Sequence, residues 1–322
     1  MTSAAKGVVA ALGMRIIRPN IGHRCMFQRQ KVILHLLDRA AGRLDKLRLM
    51  KLAFLVRHEG YVVAPAAVYG FVPYLFGPYS FSLYHDLRKL TDEGVVVMDE
   101  KSVALQSRRD LPPLDATGTA GVDAVWGLYG SWGTDRLVRH VYEKFPWFTS
   151  NAKDETKRKT HRPEAQSAVY TAGYEGVSFD EFLDGLLRCG IQRVIDVRAN
   201  PVARRYGFHR STLQRNLGNL QIDYVHLPDL GIPGEERTDL SSPLDYKRLF
   251  DRYESDVLPQ RKAMVARAAA LQQELPSALL CMEADPEQCH RSRLGRRIAA
   301  ETGLAMRDLG AMLKGKQDVA AA

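Results

Sequence analysis

The chain has 322 residues, 45% of them hydrophobic and 26% charged. That length suggests about two domains, and the composition excludes a disordered chain, a collagen-like repeat and a disulfide-stapled mini-protein. The 46 Lys and Arg against 37 Asp and Glu leave a net charge of +9, which favours an anionic partner but says nothing of the fold.

In chain order, residues 1–27 read as an N-terminal extension. Its apolar stretch, Val8-Val-Ala-Ala-Leu12, is too brief for a signal peptide, and Arg15, Arg18 and Arg24 follow it rather than precede it. No run of 18 apolar residues marks a membrane span. Helical periodicity then appears over Gln28–Arg39 and Lys46–His58, where Leu47, Met50, Leu52, Phe54 and Leu55 supply an apolar face. The aromatic segment 69–80 reads as strand and turn, Ser82–Glu93 as a helix stopped by Gly94, Val95–Met98 as a short strand and Val122–Phe148 as one further helix. Helix, helix, turn, helix and strand is the order of a winged-helix-like module, which can set a basic helix on DNA.

Three pieces of this stretch resemble the SocA/Panacea-type domain of antitoxin-like proteins: Lys46-Leu-Arg-Leu-Met-Lys-Leu-Ala-Phe-Leu55, Phe76-Gly-Pro-Tyr-Ser-Phe-Ser-Leu-Tyr84 and Tyr142-Glu-Lys-Phe-Pro-Trp147. The resemblance covers about residues 28–148 and implies an interaction or neutralising module, hence a protein partner as the rival of DNA.

Residues 151–167 carry almost no large apolar side chain and read as an exposed, charged linker. Charge divides there. Residues 1–150 have a net +7, residues 151–167 a net +2 and residues 168–322 a net of zero. The domain limits expected are thus 1–27, 28–150, 151–167, 168–310 and a tail, 311–322.

Beyond the linker, strands and helices alternate. Val169–Glu175, Arg193–Val197, Tyr224–Leu227 and Ala278–Met282 read as nearly continuous apolar strands of a parallel sheet covered on both faces. Ser178-Phe-Asp-Glu181 reads as a capping box that starts a helix ending near Cys189, with Gly190 as its stop. The fold class is therefore α/β, a layered, mostly parallel sheet domain preceded by a mainly helical one.

Ligands of open parallel sheets sit outside the carboxyl ends of the strands, so the residues after each apolar run are the ones to inspect. They are Tyr174 and Glu175, then Asp196 and Arg198, then His226 and Asp229, then Glu283, Asp285, Cys289, His290 and Arg291. Asp196 is expected at the mouth of the sheet as a general base, with Glu283 as partner carboxylate and Tyr174 beside them; a salt bridge from Asp196 to Arg198 or Arg291 is the competing use. Arg198, Arg204, Arg205 and Arg210, interleaved with Tyr206, Phe208 and His209, suit phosphates and unstacked bases. His226, Asp229, His290 and Arg291 complete the expected substrate- and phosphate-binding set, with His290 and Arg291 near a helix start.

The segments Tyr170-Thr-Ala-Gly-Tyr-Glu-Gly176, Val194-Ile-Asp-Val-Arg-Ala-Asn-Pro201, Tyr224-Val-His-Leu-Pro-Asp-Leu-Gly231 and Leu280-Cys-Met-Glu-Ala-Asp-Pro-Glu-Gln-Cys-His-Arg-Ser292 resemble the domain-of-unknown-function 488 family over about residues 168–310. The resemblance implies an α/β domain with these residues clustered, no settled reaction, and associations with DNA repair and phage defence.

The cysteines, Cys25, Cys189, Cys281 and Cys289, show no CxxC spacing and read as reduced thiols of a cytoplasmic protein. Cys281 and Cys289 lack standard zinc spacing and read as structural, although Cys289 near Arg291 suggests a lowered thiol pKa. No metal and no cofactor are expected. The function expected is a nucleic-acid-processing hydrolase, a DNA base glycosylase acting on single-stranded DNA or on a flipped base, with no membrane partner. Its rivals are a metal-dependent nuclease using Asp196, Glu283 and Asp285, and a non-enzymatic DNA- or toxin-binding module that senses a small anion.

Overall fold

The computed structural model describes residues 26–60, 68–109, 111–237 and 240–313. The expected extension therefore lies almost wholly outside the described residues, as do Cys25 and most of the tail.

The first unit contains helices α1 (Gln28–Arg39), α2 (Lys46–Glu59), α3 (Phe81–Asp92), α4 (Ala116–Tyr129) and α5 (Thr134–Lys144). Strands β1 (Arg43–Asp45), β4 (Val96–Met98) and β5 (Ser102–Leu105) form an antiparallel sheet in the order β1-β5-β4. Strands β2 (Val72–Tyr74) and β3 (Gly77–Tyr79) form a separate hairpin between α2 and α3. The helix expected over Val122–Phe148 is divided: Gly130-Ser-Trp-Gly133 breaks it into α4 and α5, and Pro146 starts a 3-10 turn after them. Glycine lowers helix propensity by about 1 kcal/mol, so two within four residues readily end a helix. The core is the apolar face of α1 and α2 against α3, α4, α5 and strands β4 and β5, with Phe54 edge-on to Phe71, Phe145 and Phe148.

The second unit is a five-stranded, wholly parallel sheet in the order β10-β6-β9-β7-β8. Its strands are β6 (Val169–Gly173), β7 (Arg193–Asp196), β8 (Asp223–His226), β9 (Ser277–Cys281) and β10 (Met306–Asp308). Four were expected; β10, with only three residues and a single apolar one in Met-Arg-Asp, carries no apolar run to mark it. Tyr170, Ala172, Val194 and Leu280 pack on one face against α6 (Phe179–Arg188) and α7 (Arg210–Asn219). Val169, Ile195 and Leu279 pack on the other face. That face is covered by α8 (Pro243–Arg252), the short α9 (Leu258–Gln260), α10 (Lys262–Glu274) and α11 (His290–Thr302). A last turn, α12 (Gly310–Leu313), returns to α6. The Ser178–Glu181 capping box is present, and Gly190 has φ +68°, a left-handed conformation that suits glycine at a helix end.

Between the units, residues 151–167 are tied down at several points. Ala152 is buried, Asn151 donates to the Pro73 carbonyl, and Arg162 donates to Asn151 and to the Leu220 carbonyl. Arg57 of α2 pairs with Glu181 at 2.7 Å, and the Trp147 indole donates to Asp184 at 2.6 Å. Across this boundary the His85 and Tyr206 rings stack 3.9 Å apart. No helix among the described residues is long and apolar enough to cross a membrane.

Candidate functional site

Because all five strands are parallel, their carboxyl ends share one edge, and they end at Gly173, Asp196, His226, Cys281 and Asp308. The connections that follow carry the polar residues, and two neighbouring clusters form there.

The first is built on Asp196, which is itself completely enclosed. Arg198 grips its carboxylate with a fork, Nε to Oδ1 at 2.8 Å and Nη2 to Oδ2 at 2.6 Å, and Tyr224 adds a hydroxyl donation at 2.7 Å. The third guanidinium nitrogen, Nη1, donates to the Tyr174 hydroxyl and the Phe208 carbonyl. Tyr174 in turn stacks on Phe208 with ring centroids 4.0 Å apart. Asp196 is 0% exposed, so it is not at an open mouth and offers no free oxygen to a water. The use weighed against catalysis, a pair with Arg198, is the one observed. His226 accompanies this cluster from β8, with Nε2 2.9 Å from the Arg198 carbonyl.

The second cluster follows β9. Glu283 is its centre. Both thiols donate to the same carboxylate oxygen, Cys281 at 2.8 Å and Cys289 at 3.0 Å, while Arg237 pairs with the other oxygen at 2.9 Å. Burial raises the carboxyl's proton affinity, but the two thiol donations and the Arg237 charge outweigh it and hold Glu283 down to about 2. His290 Nε2 lies 3.1 Å from the Val197 carbonyl, and its Nδ1 faces Arg237 Nη2 at 3.3 Å and Cys281 Sγ at 3.6 Å. An ionised Cys281 would take the Cys289 S–H from Glu283, and with His290 adding to it this makes Cys281 the more acidic thiol despite its burial, whereas burial and the Cys281 sulfur push Cys289 up.

The backbone that presents Glu283 is fixed from below. Arg291, fully buried, donates Nη1 to the Glu283 carbonyl at 2.5 Å and Nη2 to the Ala284 carbonyl and to Asp308. Arg291 therefore faces main chain and not a phosphate groove, which corrects its expected role. Gly173 makes this close approach possible, since a Cβ there would stand 1.9 Å from the Glu283 carbonyl oxygen. Asp285, weighed as a nuclease ligand, instead caps its own turn by accepting from the Glu287 N–H at 2.9 Å.

Outside these clusters lies a cleft of about 570 Å³ between the two units, lined among others by Phe27, His85, Lys89, Arg204, Arg205, Tyr206 and His209. Arg205 donates to the Tyr174 carbonyl at 3.2 Å. The next residue binds the Glu283 loop: Glu175 donates its N–H to the Met282 carbonyl and accepts the Ala284 N–H. Cleft and clusters therefore share the strand end Tyr174-Glu175. Arg204 opens into the cleft. Arg210, the first residue of α7, is exposed, as is Asp229 in its 3-10 turn.

Residues 178–298 match the family model described as domain of unknown function DUF488. The match takes in every strand end of the site except those of β6 and β10, and it leaves the helical unit outside. Neither the curated proteins nor the solved structures yield a match to the chain.

Within the DUF488-like region, two site residues carry no signal in the sequence: Tyr224 reads as strand and Arg237 falls in no motif. Cys281 and Cys289 read as structural, and the structure joins them to Glu283. For the cysteines a signal existed: Cys281, Glu283, Cys289 and His290 fall within ten residues, where a strand end and the next helix start meet. Arg237 meets Glu283 after β9 but precedes that residue by 46 residues in sequence, and no spacing points to it.

Proposed function

We propose that the protein is a nucleic-acid-processing hydrolase that cleaves the N-glycosidic bond of a damaged or modified DNA base. The observation that carries this reading is Glu283. It is a carboxylate kept ionised at the sheet's carboxyl edge, 17% exposed on its side chain, and its loop is tied through Glu175 to the strand end that Arg205 of a basic and aromatic cleft contacts. Departure of a base leaves positive charge on the sugar. A carboxylate that stays ionised near pH 7 meets that charge and orients water, whereas proton delivery to the base falls to another group. This moves the reacting role from Asp196 to Glu283 and leaves Asp196 to position Arg198 and Tyr174.

The cleft supports the substrate class. Among the described residues, the side chains of Lys89 and Arg204 have no ion-pair or hydrogen-bond partner, and the stacked His85–Tyr206 pair offers a ring surface. Unpaired cations suit phosphates, and aromatic faces suit an extruded or single-stranded base. The first unit adds a second support. Its order of α1, β1, α2, α3 and the β4–β5 hairpin, with sheet order β1-β5-β4, supports reading it as a winged helix with one extra hairpin between α2 and α3. In that arrangement α3, which carries exposed Arg88 and Lys89, is the helix that meets DNA.

The test is direct. Plain and base-modified DNA, single-stranded and duplex, is incubated with the protein; free base is sought by mass spectrometry and abasic sites by alkaline cleavage. Base release that Glu283→Gln abolishes in a folded protein is the expected result. Strand breaks without released base favour a nuclease, and DNA binding without any product favours the non-enzymatic module; either outcome overturns the reading.

A further inference from the structure

The second cluster has a property that the hydrolase reading does not use. Cys281 Sγ, Cys289 Sγ and a ring nitrogen of His290 all lie within 4.8 Å of one another. We propose that these three residues bind one divalent d-block cation, zinc by preference, with its fourth position bordered by Glu283.

Donor chemistry comes first. Two thiolates and an imidazole are the ligand types that select zinc among the abundant divalent ions, whereas magnesium and calcium require oxygen. The spacing agrees with this set. Zinc bonds of 2.3 Å to sulfur and about 2.0 Å to nitrogen, at the tetrahedral angle, separate the two ligand atoms by about 3.6 Å; Cys281 Sγ and His290 Nδ1 are 3.6 Å apart. A metal-binding histidine usually donates its other ring N–H to a carbonyl or carboxylate, which fixes the ring. His290 Nε2 has that partner in the Val197 carbonyl at 3.1 Å, so Nδ1 is the nitrogen that faces the sulfurs.

Charge balances as well. The ion's two positive charges meet two thiolates, and Glu283 remains neutralised by Arg237. On binding, two protons leave the cluster for solvent; Glu283 Oε2 loses both thiol donations and moves off the sulfurs, and Arg237 Nη2 gives up its 3.3 Å contact with His290 Nδ1. The three ligands are at most 1% exposed, while Glu283 and Arg237 are partly open to solvent. Entry is therefore from the Glu283 side, and three protein ligands leave a tetrahedral position facing it. Under the hydrolase reading, which this last point alone depends on, that position holds the water that Glu283 orients.

The experiment measures metal before activity. The full chain, purified without chelators or an affinity tag that binds metal, is assayed for bound elements by mass spectrometry. About one equivalent of zinc is expected. Replacement by cobalt(II) should give the near-ultraviolet thiolate charge-transfer bands and the visible bands of a tetrahedral site. Cys281→Ser and Cys289→Ser should lose the ion, and Cys189→Ser, outside the cluster, should keep it. Because the first two variants can misfold, the cobalt spectrum of the unmutated chain decides. A folded chain with no bound metal and no cobalt bands overturns the proposal. Glu283→Gln should retain the ion, and its loss there would overturn the open fourth position. Metal without base release leaves the site standing and sinks the hydrolase reading; base release from a metal-free chain does the reverse.

Discussion

Asp180 of the sheet unit caps a helix of the other unit: its carboxylate accepts the Phe81 N–H at 2.6 Å across the boundary. The Ser82 N–H and the Ser80 hydroxyl add to it at 3.2 Å and 3.1 Å. The first turn of a helix has N–H groups with no intrahelical partner, and here the partner comes from 99 residues away. The two units therefore share a buried polar contact in which neither side is satisfied alone. Asp180→Ala leaves three donors buried, at roughly 1–3 kcal/mol for each one that finds no water. We expect the variant to lose several degrees of Tm, and limited proteolysis to cut first between the units. An unchanged Tm would remove the cap from the account of how the units are held.

The same carboxyl gives a pH signature. Burial raises Asp180 to about 6, against its hydrogen bonds, from an ordinary value of 3.8. The folded state thus holds this proton more tightly than the unfolded state. Its contribution is fully present below about pH 4 and is lost as the pH rises through about 6. The two-unit shift corresponds to about 3 kcal/mol. The stability gap between the parent chain and Asp180→Ala, from urea titrations at pH 4 to 8, should narrow across that window. A gap that widens with pH would reverse the assignment.

The Asp196–Arg198 fork predicts a different kind of failure. Removing one partner of a buried ion pair costs about 3–5 kcal/mol because the other is left charged and alone. Asp196→Asn should therefore lower the urea midpoint sharply. Tyr224→Phe, which takes away one donor and leaves the pair, should cost about 1 kcal/mol. If Asp196→Asn instead folds with near-parent stability and has no activity, Asp196 regains a role in the chemistry.

These two carboxylates mark what sequence can and cannot carry. The parallel sheet was legible because its strands are apolar runs buried on both faces, and parallel strands must end on one edge; Asp196 and Glu283 were found that way. Which of them meets solvent was not legible. Asp196 and Arg198, two residues apart, turn inward together because the Phe208 carbonyl and the Tyr174 hydroxyl wait there. Glu283 stays partly open to solvent, although Arg237, from a distant turn, holds one of its oxygens and the Cys281 and Cys289 thiols the other. Strand β10 and the split of α4 from α5 are not legible for the plainer reason that a three-residue strand with one apolar side chain and a glycine pair give no periodicity.

Gly173 offers a test of the backbone under Glu283. An alanine there would drive Cβ into the Glu283 carbonyl oxygen at 1.9 Å, and neither side is a flexible side chain. Overpacking of this kind costs about 1–3 kcal/mol, sometimes more. Gly173→Ala should lower Tm and also reduce base release beyond the folded fraction, because the Glu283 main chain must move. Gly218→Ala is the control. A Cβ there meets nothing within 4 Å, and in the helix α7 alanine is favoured by about 1 kcal/mol.

The cleft can be tested by salt. Lys89 from α3 and Arg204 from the sheet unit line it from opposite sides, and both are exposed. Each phosphate a cation neutralises releases condensed counterions, so the slope of log K against log salt counts the contacts. Lys89→Ala and Arg204→Ala should each flatten that slope by about 0.7 for single-stranded DNA, in fluorescence anisotropy titrations from low to moderate salt. The double variant should show both losses, since the two sites share no partner. Arg296→Ala, on α11 over the opposite face of the sheet and paired there with Glu287, should leave the slope unchanged. Equal slopes for all three variants would place the nucleic acid elsewhere. The long basic surplus of residues 1–167 would then be the surface to map, beginning with Arg158 and Arg162 at the junction between the units.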